Sequence, residues 1–140
     1  LFGESSELYL RLYEEGLIDS SFGGGFETID GCAMLMCSGD SDNAYAVREA
    51  ILAQAAKIVK EGIPEKNFLR MKRSALGRRI RSLDSFDATC FRVCAYHFSD
   101  FDYFRFPEVY RSIEATEIQG FLNRVVQPER CSLSIINPLS

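Results

Sequence analysis

Cys90, Cys94 and His97 stand at i, i+4 and i+7, a spacing that puts two thiols and an imidazole on one helical face, where soft ligands could converge on zinc. A fourth ligand would then come from Cys131 or Cys37. The competing reading is the stronger: small thiols on a core-facing helix, with His97 near its C-terminal end, where a cation or donor is welcome. His97 is also the one histidine of the chain. It has no second imidazole to work with, and no strained nucleophile turn accompanies it, so Ser/His/Asp and Cys/His catalysis find no support.

Two further clusters are conspicuous. Lys66, Arg70, Lys72, Arg73, Arg78, Arg79 and Arg81 crowd a segment whose only acid is Glu65. On a helix these cations spread around the surface instead of forming a stripe, and no aromatic residue interleaves with them after Phe68. A solvated or acid-paired face is expected, with attraction of acidic peptides as a possible use and nucleic-acid binding disfavoured. Phe101, Tyr103, Phe104 and Phe106 lie in SDFDYFRFP, an aromatic-rich loop over 99–107. They either fold back as a satellite core, the favoured reading, or present an interface.

The elements that must position these residues follow from periodicity. Leu8, Leu10, Leu12, Tyr13 and Leu17 recur at helical spacing after capping serines, and Gly16 supplies a left-handed stop. Residues 22–29 and 32–38 are strand-like, joined by Asp30-Gly31, a dipeptide suited to a type I′ hairpin. Gly23, Gly24 and Gly25 weaken the first strand and signal a bend, a bulge or close approach of another backbone. Ser41, Asp42 or Asn43 caps a helix to Glu61 with Val47, Ile51, Leu52, Ala55, Ile58 and Val59 inward. After Gly62 and Pro64, a second helix turns Phe68, Leu69, Met71, Leu76, Ile80 and Leu83 to its apolar side and breaks at Asp84-Ser85. A third, over 86–98, brings Phe91, Cys94, Ala95 and Phe98 inward. Thr116 and Gln119 have capping-box spacing for a short helix to about Val126, ended by Pro128. Residues 131–136 read as a final strand. There is no internal repeat or low-complexity segment.

The expected class is therefore α+β: a partly antiparallel sheet packed against helices, in the order helix, hairpin, three to four helices, strand. A hairpin plus one strand is a thin sheet, and a further strand from elsewhere would complete it. At 140 residues, 46% hydrophobic and 26% charged, the chain fits a single globular domain over 1–140. Leu1 in place of a starting Met, and the immediate entry into a helix, mark an excised or processed portion of something larger. A net charge of −4 gives no overall attraction to nucleic acid or anionic lipid. No apolar run approaches the roughly 18 residues of a membrane span. Five cysteines without a C-x-x-C pair argue against a disulfide scaffold and for the cytoplasm.

Three segments carry a resemblance: LFGESSELYLRLYEEGLIDSSF at the start, EGIPEKNFLRMKRSALGRRIRSLDSFD in the middle, and FRFPEVYRSIEATEIQGFLNRVV near the end. In their order and spacing they resemble the C-terminal half of pitrilysin/insulinase-like zinc peptidases, the inverzincins, and within them a bacterial subgroup of small, paired peptidase-like proteins. Nearly the whole chain is covered. The resemblance implies two α+β halves enclosing a chamber, with zinc held in the N-terminal half by His-x-x-Glu-His. This chain cannot assemble that site. The resemblance thus implies no cofactor here, zinc in the parent's N-terminal half, and a non-catalytic domain that lines the chamber and meets peptide substrate. Its partners would be that N-terminal half or a paired homologous subunit, with no nucleic acid and no membrane.

Family members also place an arginine and, seven residues on, a tyrosine near the turn after the first helix of this region, to bind substrate. The position matching the arginine is Tyr13 and, after an insertion, the position matching the later aromatic is Phe22, with Arg11 adjacent on a different helical face. Arg11, Tyr13 and Phe22 are thus the substrate-binding candidates, and the pair is not intact. The alternative reading is a protein-interaction or dimerisation module without peptidase activity, pairing through its free sheet edge or its aromatic loop.

Overall fold

A computed structural model describes residues 1–29 and 31–137. Its elements run α1 (Glu7–Glu14), β1 (Gly23–Ile29), β2 (Cys32–Ser38), α2 (Ala44–Glu61), α3 (Glu65–Arg81), α4 (Phe86–His97), α5 (Phe106–Ser112) and α6 (Ala115–Val125), an α+β chain dominated by helices. Short 3-10 turns occupy Ser82–Asp84, Tyr103–Arg105 and Pro128–Arg130. Among the described residues no helix is long and apolar enough to cross a membrane. The chain divides into two compact units, Leu1–Glu61 with Gly120–Ser140, and Gly62–Gln119.

The first unit is built on α1. Ser6 caps it, its Oγ accepting from the Tyr9 amide at 3.2 Å, and Gly16 ends it at φ +68°. One face of the helix disappears into the core: Leu8, Tyr9 and Leu12 pack with Ile18, Phe22 and Val47, and Leu12 is 0% exposed. β1 and β2 pair antiparallel in an unbroken register from Gly23 opposite Ser38 to Ile29 opposite Cys32. Of the readings the three glycines offered, the unbroken register excludes a bulge within this pairing. Of the three, Gly24 answers a close approach, since a Cβ there would overlap the Phe2 ring and crowd the Met36 carbonyl, whereas Gly23 and Gly25 meet open space. The Asp30-Gly31 turn type falls partly outside the described residues; Gly31 itself has φ +79°. α2 begins with Asn43 Oδ1 accepting from the Ala46 amide at 3.1 Å, and it turns Val47 and Ala55 inward as its stripe requires.

The second unit carries a thin core. Tyr103 and Phe106 are its buried apolar residues, and α3 has none, so the apolar side expected of that helix is at most half-buried, with Leu69, Met71 and Ile80 exposed. The break at Asp84-Ser85 is present, with Ser85 in extended backbone. α4 departs from expectation more sharply: Phe91, Cys94, Ala95 and Phe98 all face outward, and the half-buried residues are Ala88, Thr89, Arg92 and Val93. Helical spacing identifies an apolar face but not whether an element exists to cover it.

Three other expectations are corrected. Residues 131–137 form no strand: Cys131 is extended (φ −104°, ψ 128°), yet the sheet among the described residues is β1–β2 alone, and extended backbone without a ladder partner is not a strand. The loop over 99–107 is partly helical, since Asp102 Oδ1 accepts from the Phe104 amide at 3.0 Å and nucleates the turn that leads into α5. The last helix starts at Ala115, with the Glu117 carboxylate accepting from the Glu114 amide at 2.7 Å, two residues earlier than a Thr116–Gln119 box would place it.

Candidate functional site

The outer surface of α1 holds two of the three substrate-binding candidates. Arg11 and Tyr13 are both exposed, but a separation of two residues sets them about 200° apart around the helix. Tyr13 lies flat on Tyr9, ring centroids 6.0 Å apart and 10° from parallel. Tyr9 in turn meets Phe22 at 6.3 Å, and Phe22 meets Phe2 edge-on at 6.3 Å. Phe22 itself is 7% exposed and belongs to the core. The fold therefore joins Tyr13, Tyr9 and Phe22 in one aromatic run and leaves Arg11 on another face.

A polar cluster that periodicity does not flag fixes α1 against α2. Glu7 Oε1 accepts from Lys57 Nζ at 2.8 Å, and Glu7 Oε2 accepts from the buried Gln54 amide at 3.3 Å. Hydrogen bonding from Lys57 and then from Gln54, followed by the Lys57 charge, holds the Glu7 carboxyl below the usual carboxylate range, against the small opposing effect of burial. The same contact raises the Lys57 ammonium. Gln54 stands seven residues after Val47 in the apolar stripe, and a glutamine at a core-spaced position is the signal that could have revealed it. Behind α1, Ser21 Oγ accepts from the Asp40 amide at 3.0 Å and ties the approach to β1 to the exit from β2. Asp19 accepts from Ser21 through both its hydroxyl and its amide, which lowers the Asp19 carboxyl.

In the second unit the basic segment is neither acid-paired nor uniformly solvated. Among the described residues the ion pairs are Arg48–Glu49, Lys57–Glu7 and Arg105–Glu108, none of them on α3. Lys72 Nζ instead donates to the carbonyls of Arg111 at 2.6 Å and Ile113 at 2.8 Å, and sits 5.6 Å from the centre of the Phe68 ring. The cation thus satisfies carbonyls that the end of α5 leaves unpaired. An open groove of about 660 Å³ runs beside it, floored by Ile63, Phe68, Leu69 and Ile113. The aromatic residues form the satellite core: Tyr103, 2% exposed, contacts Tyr96, Phe104 and Phe106, and Tyr96 also contacts Phe101. Phe104 alone of the set points outward.

The described residues hold no group of three or more His, Cys, Asp or Glu side chains placed to bind a metal ion. Cys90 and Cys94 are exposed free thiols on α4, and Cys37 and Cys131 lie in the other unit. With one imidazole and no such cluster, the donor set here does not fit a peptidase zinc site.

Known proteins resemble this chain at three levels. The family model described as the peptidase M16 inactive domain matches residues 1–75, which take in α1, the hairpin, α2 and more than half of α3. An uncharacterised zinc protease of Bacillus subtilis strain 168, YmfH, is 26% identical over 140 residues, an alignment spanning 100% of this chain and 32% of that protein. The crystal structure of an M16-like peptidase from Alicyclobacillus acidocaldarius shares the fold with a TM-score of 0.76 at 24% identity, over 87% of this chain and 30% of that one. The chain spans about a third of the length of the proteins it matches.

Proposed function

Because this chain belongs to the M16 peptidase family through that family's inactive domain, we propose that it is a non-catalytic wall of a substrate chamber, in a zinc-dependent peptidase or an inactive homologue of one. The observation that carries this reading is the match of the inactive-domain model to the segment that contains α1 and its packing partners. The composition supports it, since a single histidine cannot supply the paired imidazoles of His-x-x-Glu-His. Zinc would be held by the N-terminal half of the parent or by a paired homologous subunit, and no step of hydrolysis falls to a residue of this chain.

What the chain contributes is peptide contact from two faces of α1: on one, Tyr13 offers a phenol already held flat on Tyr9, and on the other, Arg11 offers a guanidinium to peptide carbonyls or carboxylates. Phe22 acts from beneath, as the buried support of Tyr9. The Glu7–Lys57 and Glu7–Gln54 contacts tie α1 to α2, so the backbone that presents these side chains is held before peptide arrives. Fluorescence anisotropy of a labelled, unstructured peptide tests the surface. Arg11→Ala and Tyr13→Ala are each expected to weaken binding by about three- to thirtyfold, equivalent to roughly 0.7–2 kcal/mol; unchanged affinity in both variants would remove α1 from the account.

A further inference from the structure

The groove between α3 and α5 is lined entirely by residues of the second unit, from Ile63 to Ala115, so that unit alone gives it its form. Its volume of about 660 Å³ is that of a small-molecule pocket, but such pockets enclose most of their ligand and this one is open to solvent. A short stretch of polypeptide, with one apolar side chain turned inward, suits it better. The floor for that side chain is Ile63, Phe68 and Ile113, all half-buried, with the exposed Leu69. Lys72 and Arg111 line the groove too, and so do Glu65 and Glu114. The walls by themselves are therefore close to neutral.

The flank of α3 tips this balance. Lys66 and Arg73 stand three residues before and four residues after Leu69, the spacing that sets side chains along one face of a helix, here beside the apolar floor. Both are exposed, and so is Arg70 between them in sequence. Among the described residues none of the three charged groups makes a hydrogen bond or an ion pair. On a chain of net charge −4 this is a local excess of positive charge, and it attracts carboxylates. Single-stranded nucleic acid would ask for aromatic faces on which to stack its bases. Phe68 is the one aromatic residue lining the groove, and the Lys72 ammonium already sits 5.6 Å from its ring centre. We propose that the groove between α3 and α5 binds an acidic peptide segment, seating one apolar side chain on Ile63, Phe68, Leu69 and Ile113 and setting its carboxylates against Lys66 and Arg73. This inference goes beyond the chamber-wall reading and stands whether or not α1 meets peptide.

Exposed charges beside a shallow floor make the complex weak and sensitive to salt, with a dissociation constant on the order of tens of micromolar.

Fluorescence anisotropy of the full chain with a short labelled peptide, one central leucine flanked on both sides by aspartate and glutamate, tests it. Lys66→Glu and Arg73→Glu are each expected to weaken binding by about three- to tenfold, with an unchanged circular dichroism spectrum. Arg78→Glu makes the same change of charge nine residues from Leu69, on the opposite side of α3, and is expected to bind within about twofold of the parent. Replacing the leucine of the peptide by serine, a change that cannot disturb the fold, is expected to cost about tenfold. No binding, or binding that keeps its strength in both flank variants, overturns the proposal. Equal losses in Arg78→Glu and the flank variants, or indifference to the leucine, would also overturn it, because the groove would then have no part in a general attraction of charge. A labelled single-stranded oligonucleotide bound more tightly than the peptide would assign the basic face to nucleic acid instead.

Discussion

Leu8 and Leu12 vanish into the core because they sit one turn apart on the same side of α1, and that much is legible from spacing alone. Gly39 is different. A Cβ there would come within 2.6 Å of the Phe22 Cα, so glycine is required by a contact seventeen positions back, and no local pattern announces it. Glu7 is different again, since its partners Lys57 and Gln54 stand on another helix. Their effect is testable by pH. The folded-state pKa of Glu7 is depressed, so the contribution is present above the unfolded value of about 4.3 and is lost as pH falls through the lower folded value. Glu7→Gln is expected to lower the melting temperature at neutral pH and to make no difference in strong acid. Melting curves from neutral pH downward check this, and a penalty that persists undiminished in acid would mean the carboxylate charge is not what matters.

At the scale of elements, α1, the hairpin, α2, α3 and α4 lie where their residues predict them, because caps, glycine stops and a hairpin dipeptide are local signals. What spacing could not supply is the neighbour. Among the described residues the 131–137 segment has the composition of a strand and no ladder to join, while α4 packs through Tyr96 on the satellite core and leaves its expected inward residues Phe91, Cys94 and Ala95 exposed. α5 begins at the end of the aromatic loop read over 99–107; Asp102 caps the turn that leads into it, and its terminal carbonyls are held by Lys72, on α3. Lys72→Met keeps the stem over Phe68 and removes the donors. Hydrogen exchange is expected to accelerate across 106–113 and to stay unchanged in α1; an unaltered α5 would show that the ammonium ties down nothing.

For the molecule as a whole, family membership is carried by an ordered set of loose motifs, and it is legible before any coordinates because order and spacing survive where individual residues drift. The proposed substrate surface is less legible. Of the three candidates, Phe22 is an inward position, and spacing around Phe22 gave no sign that Tyr9 would stand between it and Tyr13. The proposed division of labour is that this chain holds peptide, while the N-terminal half of the parent or a paired homologous subunit holds zinc. The direct test is hydrolysis of an internally quenched peptide by the purified chain with zinc added. Fluorescence is expected to stay at the buffer rate and not to respond to a chelator. Hydrolysis above that rate, abolished by the chelator, would contradict it.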